Sequence, residues 1–383
     1  MTKLPNGTYL AHYKPPGQKR LWKRAKSIEQ AQAWVAEQRY LAGHGARVTR
    51  SMTTGEWLQE WLQEVATSAK RGSTVQRAPN TLRGYRLHVD RYLRSLSAIP
   101  LGKLSPDDIQ RLEQDLREGR ARGLDGQPIR LSGRTLVHVH RTLKAALGAA
   151  RRRDLIYSNP VDAVPTPGIS TEETFQAHTL SLKEIKALIS AAEHYPNGAA
   201  VILAAGTGMR RGEVLGLHWS DVHLEDPDPW LRVRYSAQPI KGRGMVDLPT
   251  KTAKSERDLI LPRVVVEAVR AHRAEQQTLG IPTNGHVFVS PRLNGEPMAA
   301  AYLYRFVWVP IRDRAGLSPA VRFHDLRHSL ATNQHLASSV PIAALSAYLG
   351  HSTTATTLGT YVHAGKADTR AIADWIDGAM TVV

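Results

Sequence analysis

Cysteine is absent from this 383-residue chain. Its absence excludes a disulfide scaffold, a thiol nucleophile and cysteine-ligated zinc or iron–sulfur centres. Long apolar runs are lacking too. The longest, AAVILAAG at 199–206, falls far short of the roughly 20 residues that a membrane-spanning helix needs. The opening stretch MTKLPNGTYL has no apolar core of a secretory signal, so a cytoplasmic protein is expected and the NGT sequon at Asn6 has no glycosylating context. Acidic side chains are few beside basic ones: 34 Asp and Glu against 51 Lys and Arg leave a formal charge of +17. A surplus of that size points to a polyanionic partner, and with no basic amphipathic helix beside an anchor, nucleic acid fits better than a membrane surface. The stretch GTGMRRGE lacks the GKS/T ending of a phosphate-cradling loop, and no acidic cluster of the two-metal nuclease kind occurs. Neither a nucleotide cofactor nor a metal ion is expected.

The charge is uneven, since residues 1–50 carry ten Lys and Arg against two Glu. That segment reads as two strands, GTYLAHYK and KRLWKRAK, followed by a helix that Ser27 and Gln30 open with a capping box. Lys19, Arg20, Lys23, Arg24 and Lys26 crowd the second strand and its flanks. They are candidate DNA contacts, because a small sheet can enter a groove while cations hold phosphates. The plainer alternative is a solvated basic face over a core containing Trp22 and Trp34. AGHGARVTR then reads as a linker.

Residues 51–165 are helical by periodicity. Trp57, Leu58, Trp61, Leu62 and Val65 recur at three- and four-residue steps, and Leu82, Tyr85, Leu87, Val89, Tyr92, Leu93 and Leu96 do so with one slip. Ser105 and Pro106 mark one helix start, and SGRTLVHVHRTLKAALGAARRRDLI makes a longer helix with a basic end. Arg83, Arg134 and Arg141 are candidate clamps on a duplex, with a charge-laced solvent face as the alternative. The run NPVDAVPTPG marks a boundary, placing a third domain at 166–383. There Ser181 and Glu184 form a capping box, three strand candidates follow (WLRVRYS, GMVDLP and RDLILP), and helices continue to a C-terminal tail. The fold class is therefore mainly α with small β-sheets, multidomain: a small N-terminal β-sheet plus helix, an α-helical domain, and an α+β domain.

In the last domain Arg210 follows a glycine turn at the start of a helix, with Glu213 three residues on to orient its planar fork. Lys251 sits in a polar turn, PTKTAKSERDLILP, between two strand candidates. His324 and Arg327, three apart in RFHDLRHSLAT, would share a helix face. His351 follows Gly350 in YLGHS, and Tyr361 lies ten residues further on, in HSTTATTLGTYVH. Tyr348, before the glycine turn, reads as a packing residue.

Taken in order, TGMRRGE, KTAKSER, HDLRHS, LGHS and the following tyrosine resemble the tyrosine recombinase family, the phage-integrase type of site-specific recombinase. The resemblance covers about 175–365 closely. It implies that Arg210 and Arg327 are the two active-site arginines, Lys251 the general acid with Lys254 as its rival, His324 and His351 the two histidines, Tyr361 the nucleophile and Glu213 the support of the first arginine. It also implies that 51–165 is a core-binding domain and 1–50 an arm-type DNA-binding domain. The partners implied are double-stranded DNA with core-type and arm-type sites and a homotetramer on DNA, leaving open a DNA-bending protein and a directionality factor. The setting implied is the cytoplasm and nucleoid of a bacterial host. A type IB topoisomerase would share the chemistry, and a non-catalytic DNA-binding regulator the charge.

The chemistry follows from what a phosphodiester resists. Two guanidiniums neutralise the charge that builds on its non-bridging oxygens, and an ammonium protonates the departing 5′ oxygen. A phenol of ordinary pKa, about 10, needs a proton acceptor at neutral pH. His324 is assigned that task, and His351 a phosphate oxygen.

Overall fold

The computed structural model describes residues 1–14, 20–43, 52–67, 77–170, 173, 178–240, 242–249, 256–290, 296–337 and 342–350. Two compact units make up the chain, Met1–Phe175 and Gln176–Val383.

In the first unit, β1 (Thr2–Lys3), β2 (Tyr9–Tyr13) and β3 (Leu21–Ala25) form an antiparallel sheet in that order, and α1 (Ile28–Gly43) follows. Strand alternation sends Ala11 and Ala25 with Tyr9, Tyr13 and Leu21 towards Ala31, Trp34 and Val35 of α1. The opposite face carries Leu10 paired with Arg24 and His12 paired with Trp22. Trp34 is buried, whereas Trp22 is 54% exposed, so only one of the two tryptophans belongs to a core. The register also divides the basic residues: Arg24 shares the outer face, while Lys23 pairs with Ala11 on the α1 side. The Arg20 guanidinium lies 5.8 Å from the Trp22 ring centroid. Lys19 is outside the described residues, as is most of the expected linker. The capping box closes one residue early. Ser27 Oγ accepts from Gln30 N–H, but Gln30 Oε1 accepts from the N–H of Lys26, not of Ser27.

The helical part comprises α2 (Thr54–Thr67), α3 (Pro79–Leu87), α4 (Pro106–Glu118), a short hairpin of β4 (Ala121–Arg122) and β5 (Pro128–Ile129), and α5 (Gly133–Arg152). All five periodic residues of α2 are buried, each contributing roughly 1.5–3 kcal/mol. The indole N–H of Trp57 donates to Ala146 O at 3.0 Å, locking α2 onto α5. The slip in the next pattern has a structural cause: α3 widens into a π-helical turn over His88–Tyr92. That turn carries Val89 and Leu93 inward and leaves Leu87, expected in the core, exposed. Arg134 and Arg141 lie with His138 on the exposed face of α5, and Arg83 is exposed on α3. The unit extends past the expected boundary at Pro165. Arg117 Nη2 donates to Gly168 O at 2.9 Å and Gly133 N–H to Glu173 Oε2 at 2.7 Å, so the proline-rich run is strapped to the helices before it.

The second unit opens with α6 (Leu182–Glu193), whose cap is the expected reciprocal pair of Ser181 and Glu184. α7 (Ala199–Thr207), apolar up to its final threonine, runs through the core, and α8 (Arg211–Leu215) follows. The strand expected over WLRVRYS is two strands with different partners. β6 (Val222–His223), β7 (Trp230–Val233) and β10 (Arg257–Ile260) make one sheet in the order β10-β7-β6, while β8 (Tyr235–Ile240) pairs with β9 (Gly244–Pro249). β9 ends opposite Tyr235 and β10 begins opposite Val233. The strands on either side of Lys251 therefore take part in two different pairings, and Lys251 itself lies outside the described residues. A trio of side chains fixes β9: the Nε2 atoms of His218 and His286 lie 3.2 and 2.8 Å from Asp247 Oδ2. The remaining helices are α9 (Arg263–Thr278), α10 (Ala300–Tyr302), α11 (Val309–Arg314), α12 (Asp325–Ala337) and α13 (Ile342–Leu349). The chain is mainly helical with small sheets. Among the described residues, no helix is long and apolar enough to cross a membrane.

Candidate active site

Thr207 ends α7 and Gly208 turns the chain at φ +65°. A Cβ at Gly208 would sit 2.8 Å from Leu349 Cδ2 and 3.0 Å from Leu330 Cδ2, so both the turn and the close packing of α13 require glycine. Two residues later Arg210, still extended, precedes the first residue of α8. Glu213 reaches back to it: Oε2 accepts the Arg210 backbone N–H at 3.0 Å and Oε1 its Nη1 at 2.8 Å. Glu213 is almost fully enclosed, while the Arg210 side chain is 39% exposed. The acid holds the guanidinium from beneath and leaves it facing solvent.

Arg327, in the first turn of α12, is buried. Its Nη1 donates to Gly208 O at 2.7 Å and its Nη2 to Leu349 O at 2.6 Å. Arg210 Nη2 donates to the neighbouring carbonyl, Gly350 O, at 3.2 Å. The two arginines expected to act together thus meet at the last carbonyls of α13, which carry the partial negative charge of a helix end. A third guanidinium completes the set. Arg257 Nε donates to Tyr348 O at 2.7 Å and its Nη2 to Glu213 Oε2 at 2.9 Å. Burial alone would raise the Glu213 carboxyl, but the charge and hydrogen bond of Arg257, then the Arg210 backbone N–H and charge, outweigh it and hold the carboxyl below the usual range.

His324 lies one residue before α12, not within it as expected, because Asp325 begins the helix with its carboxylate accepting the N–H of Arg322 at 2.8 Å. The His324 carbonyl accepts from Arg327 N–H, which keeps the two side by side. The residue is exposed, its ring standing edge-on to that of His328 with centroids 4.9 Å apart. Burial, then His328 and Arg327, with Arg210 adding to them, push the imidazolium down to about 4. The ring is therefore neutral at physiological pH and able to accept a proton. Tyr348 is half-buried against the core, and burial pushes its phenol up, as suits a packing residue.

The structure therefore brings Arg210, Glu213, His324 and Arg327 together. Lys251, Lys254, His351 and Tyr361 lie outside the described residues, as does the C-terminal tail. Sequence reasoning passed over Arg257. Its signal was parity: Arg257 shares a strand face with buried Leu259, and a charge at an apolar position demands a buried partner.

Gly350 has φ +66°, and a Cβ there would lie 2.9 Å from Arg257 Nη1. Gly350→Ala should lower stability by at least about 1–2 kcal/mol from backbone strain alone, which thermal denaturation would measure.

Residues 178–368 match the sequence profile of the Phage integrase family. A tyrosine recombinase XerC-like protein of Caldanaerobacter subterraneus subsp. tengcongensis is 27% identical over 359 residues, covering 87% of this chain and 85% of the relative. A putative prophage phiRv2 integrase of Mycobacterium tuberculosis is 32% identical over 239 residues, covering 62% of this chain and 60% of its own. In fold, the Tn1549 transposon integrase in complex with a circular intermediate DNA superposes with a TM-score of 0.66 at 21% identity, over 85% of this chain and 100% of that one. A lambda integrase tetramer bound to a Holliday junction gives 0.54 at 19% identity, over 94% and 93%. With Arg210 and Arg327 meeting at the end of α13, His324 beside Arg327, and residues 178–368 matching the family's sequence profile, the chain belongs to the phage integrase family and is a tyrosine recombinase, a site-specific enzyme of DNA strand exchange.

Proposed function

We propose that this recombinase is the integrase of a phage or integrative element, inserting and excising DNA through a 3′-phosphotyrosyl intermediate and a Holliday junction. The observation that carries the reading is the meeting of Arg210 and Arg327 on adjacent carbonyls, Gly350 and Leu349, immediately before His351 in the sequence. In this reading the two guanidiniums and His351 hold the non-bridging oxygens of one DNA phosphate. Tyr361 Oη forms a bond to phosphorus, its proton passing to His324, as the bond to the 5′ oxygen breaks. Lys251, or Lys254 in its place, protonates that oxygen. The phosphodiester energy is conserved in the phosphotyrosine, so a 5′ hydroxyl of a second strand can reverse the step. Four protomers would exchange two duplexes, one strand pair at a time.

The three domains take their tasks from this scheme: residues 1–50 bind arm-type sites, 51–165 clamp core-type DNA with Arg83, Arg134 and Arg141, and 166–383 cut and rejoin. Trp22 with Arg20 and Arg24 offers the first domain an exposed aromatic and basic face for a groove. Incubation with a nicked suicide duplex, followed by peptide mapping, should locate the DNA on Tyr361 and release a 5′ hydroxyl. An adduct on any other residue would refute the assignment. Deleting residues 1–50 should abolish integration while sparing cleavage of a core-site duplex; integration that survives the deletion removes the arm-binding role.

A further inference from the structure

Arg257 is a charge without a place in the chemistry just described. Its side chain is 7% exposed and Glu213, its partner, 4%. Holding a guanidinium there costs desolvation that only well-made hydrogen bonds offset. Those bonds go to two parts of the catalytic pocket: Glu213, which orients Arg210, and the Tyr348 carbonyl in the last turn of α13. The same guanidinium fills the space beside Gly350, where a Cβ would meet it at 2.9 Å.

We propose that Arg257 is a positioning residue for strand cleavage, setting Arg210 and the end of α13 in register with each other. This rests on the reading of Arg210 as a phosphate-binding group. The division of labour at Glu213 shows how it acts. Arg257 shares Oε2 with the Arg210 backbone N–H and leaves Oε1 to the Arg210 side chain, which thereby keeps a second amino group for Gly350 O and an exposed side for substrate. Without Arg257, Oε2 would keep only the Arg210 backbone N–H, and its vacated lone pair would draw the Arg210 fork towards a two-pronged pair with Glu213, the arrangement planar guanidinium and carboxylate groups favour. Arg210 would then turn away from the phosphate. The last turn of α13 would lose the Arg257 contact at Tyr348 O at the same time. Lysine cannot take over, because the two bonds leave from Nε and Nη2 of one rigid plane, whereas an ammonium is a point charge on a flexible stem.

The experiment is single-turnover cleavage of a nicked suicide duplex by the full chain, with DNA affinity and thermal transition measured on the same preparations. Arg257→Met should cleave about 100-fold more slowly, the cost expected of a catalytic group moved by an ångström, with affinity for the duplex nearly unchanged. Arg257→Lys keeps the charge and so the fold; it should still cleave at least tenfold more slowly, again with affinity held. Wild-type cleavage by Arg257→Lys, or by a folded Arg257→Met, overturns the proposal, as does a loss of affinity as large as the loss of rate. Arg210→Ala separates the two levels: if it cleaves normally the phosphate-binding reading itself fails, and if it is inactive while the Arg257 variants cleave normally only the positioning role fails.

Discussion

Tyr361→Phe should bind its DNA sites with unchanged affinity and form no covalent adduct, the cleavage rate falling by on the order of 10⁶, as it does when a nucleophile is removed from an enzyme with no substitute. The variant keeps the ring and loses one oxygen, the atom proposed to bond to phosphorus. The other phenol of the region, Tyr348, cannot replace it: it is half-buried, its pKa is raised by that burial, and its own carbonyl is engaged by Arg257. A denaturant-resistant adduct assay beside a band-shift titration reads both halves of the expectation. An adduct formed by Tyr361→Phe at the wild-type rate would remove the nucleophile assignment. The same assay has a pH dependence. The His324 pKa is lowered to about 4, so the ring stays neutral, and able to accept the phenol's proton, down to acid pH. The acid limb of kcat/KM should therefore lie well below the pH near 6.5 at which an unperturbed histidine protonates.

Much of this pocket could be read in the chain before any coordinates, for a definite physical reason. Arg210 sits at a helix boundary announced by local chemistry, a glycine that must turn and an acid three residues on, and the three-residue spacing of His324 and Arg327 brings them side by side, although the helix begins only at Asp325. Such boundaries are set by neighbours within a few residues, and so is the capping pair of Ser181 and Glu184. What could not be read depends on pairing between distant segments. The division of WLRVRYS into β7 and β8 is decided by which strands lie alongside it, β10 along the first and β9 along the second. Arg257 belongs to the same class: its partners are Glu213 and Tyr348, far away along the chain. The exposure of Leu87 is a subtler case, since a single widened turn over His88–Tyr92 rotates one face of a helix without leaving a composition signal.

Glu213→Ala carries the other large effect, because one carboxylate compensates two guanidiniums. Its two oxygens take hydrogen bonds from Arg210 Nη1, Arg210 N–H and Arg257 Nη2, at 2.8, 3.0 and 2.9 Å. Removing it leaves Arg257 buried with its Tyr348 contact and no counter-charge from Glu213, and breaking such a pair from one side typically costs about 3–5 kcal/mol. At neutral pH the variant should therefore melt well below the parent, with cleavage lost as Arg210 comes free of its anchor. Glu213→Gln keeps the shape and part of the hydrogen bonding and should fall between the two. The pH dependence fixes the sign. Because the folded carboxyl is held below its ordinary pKa, its stabilising contribution is fully present above the unfolded value, about 4.3, and is lost as pH falls through the lower folded value. The parent should lose stability steeply on acidification, and Glu213→Gln, with no proton to gain there, should lose less over the same range. The stability gap between them should therefore narrow as the pH drops, as measured by urea denaturation at a series of acid pH values. A gap that stays constant down to the acid limit would mean that Glu213 stabilises the fold by shape alone, and that the charge shared between Arg210 and Arg257 is not what holds the pocket together.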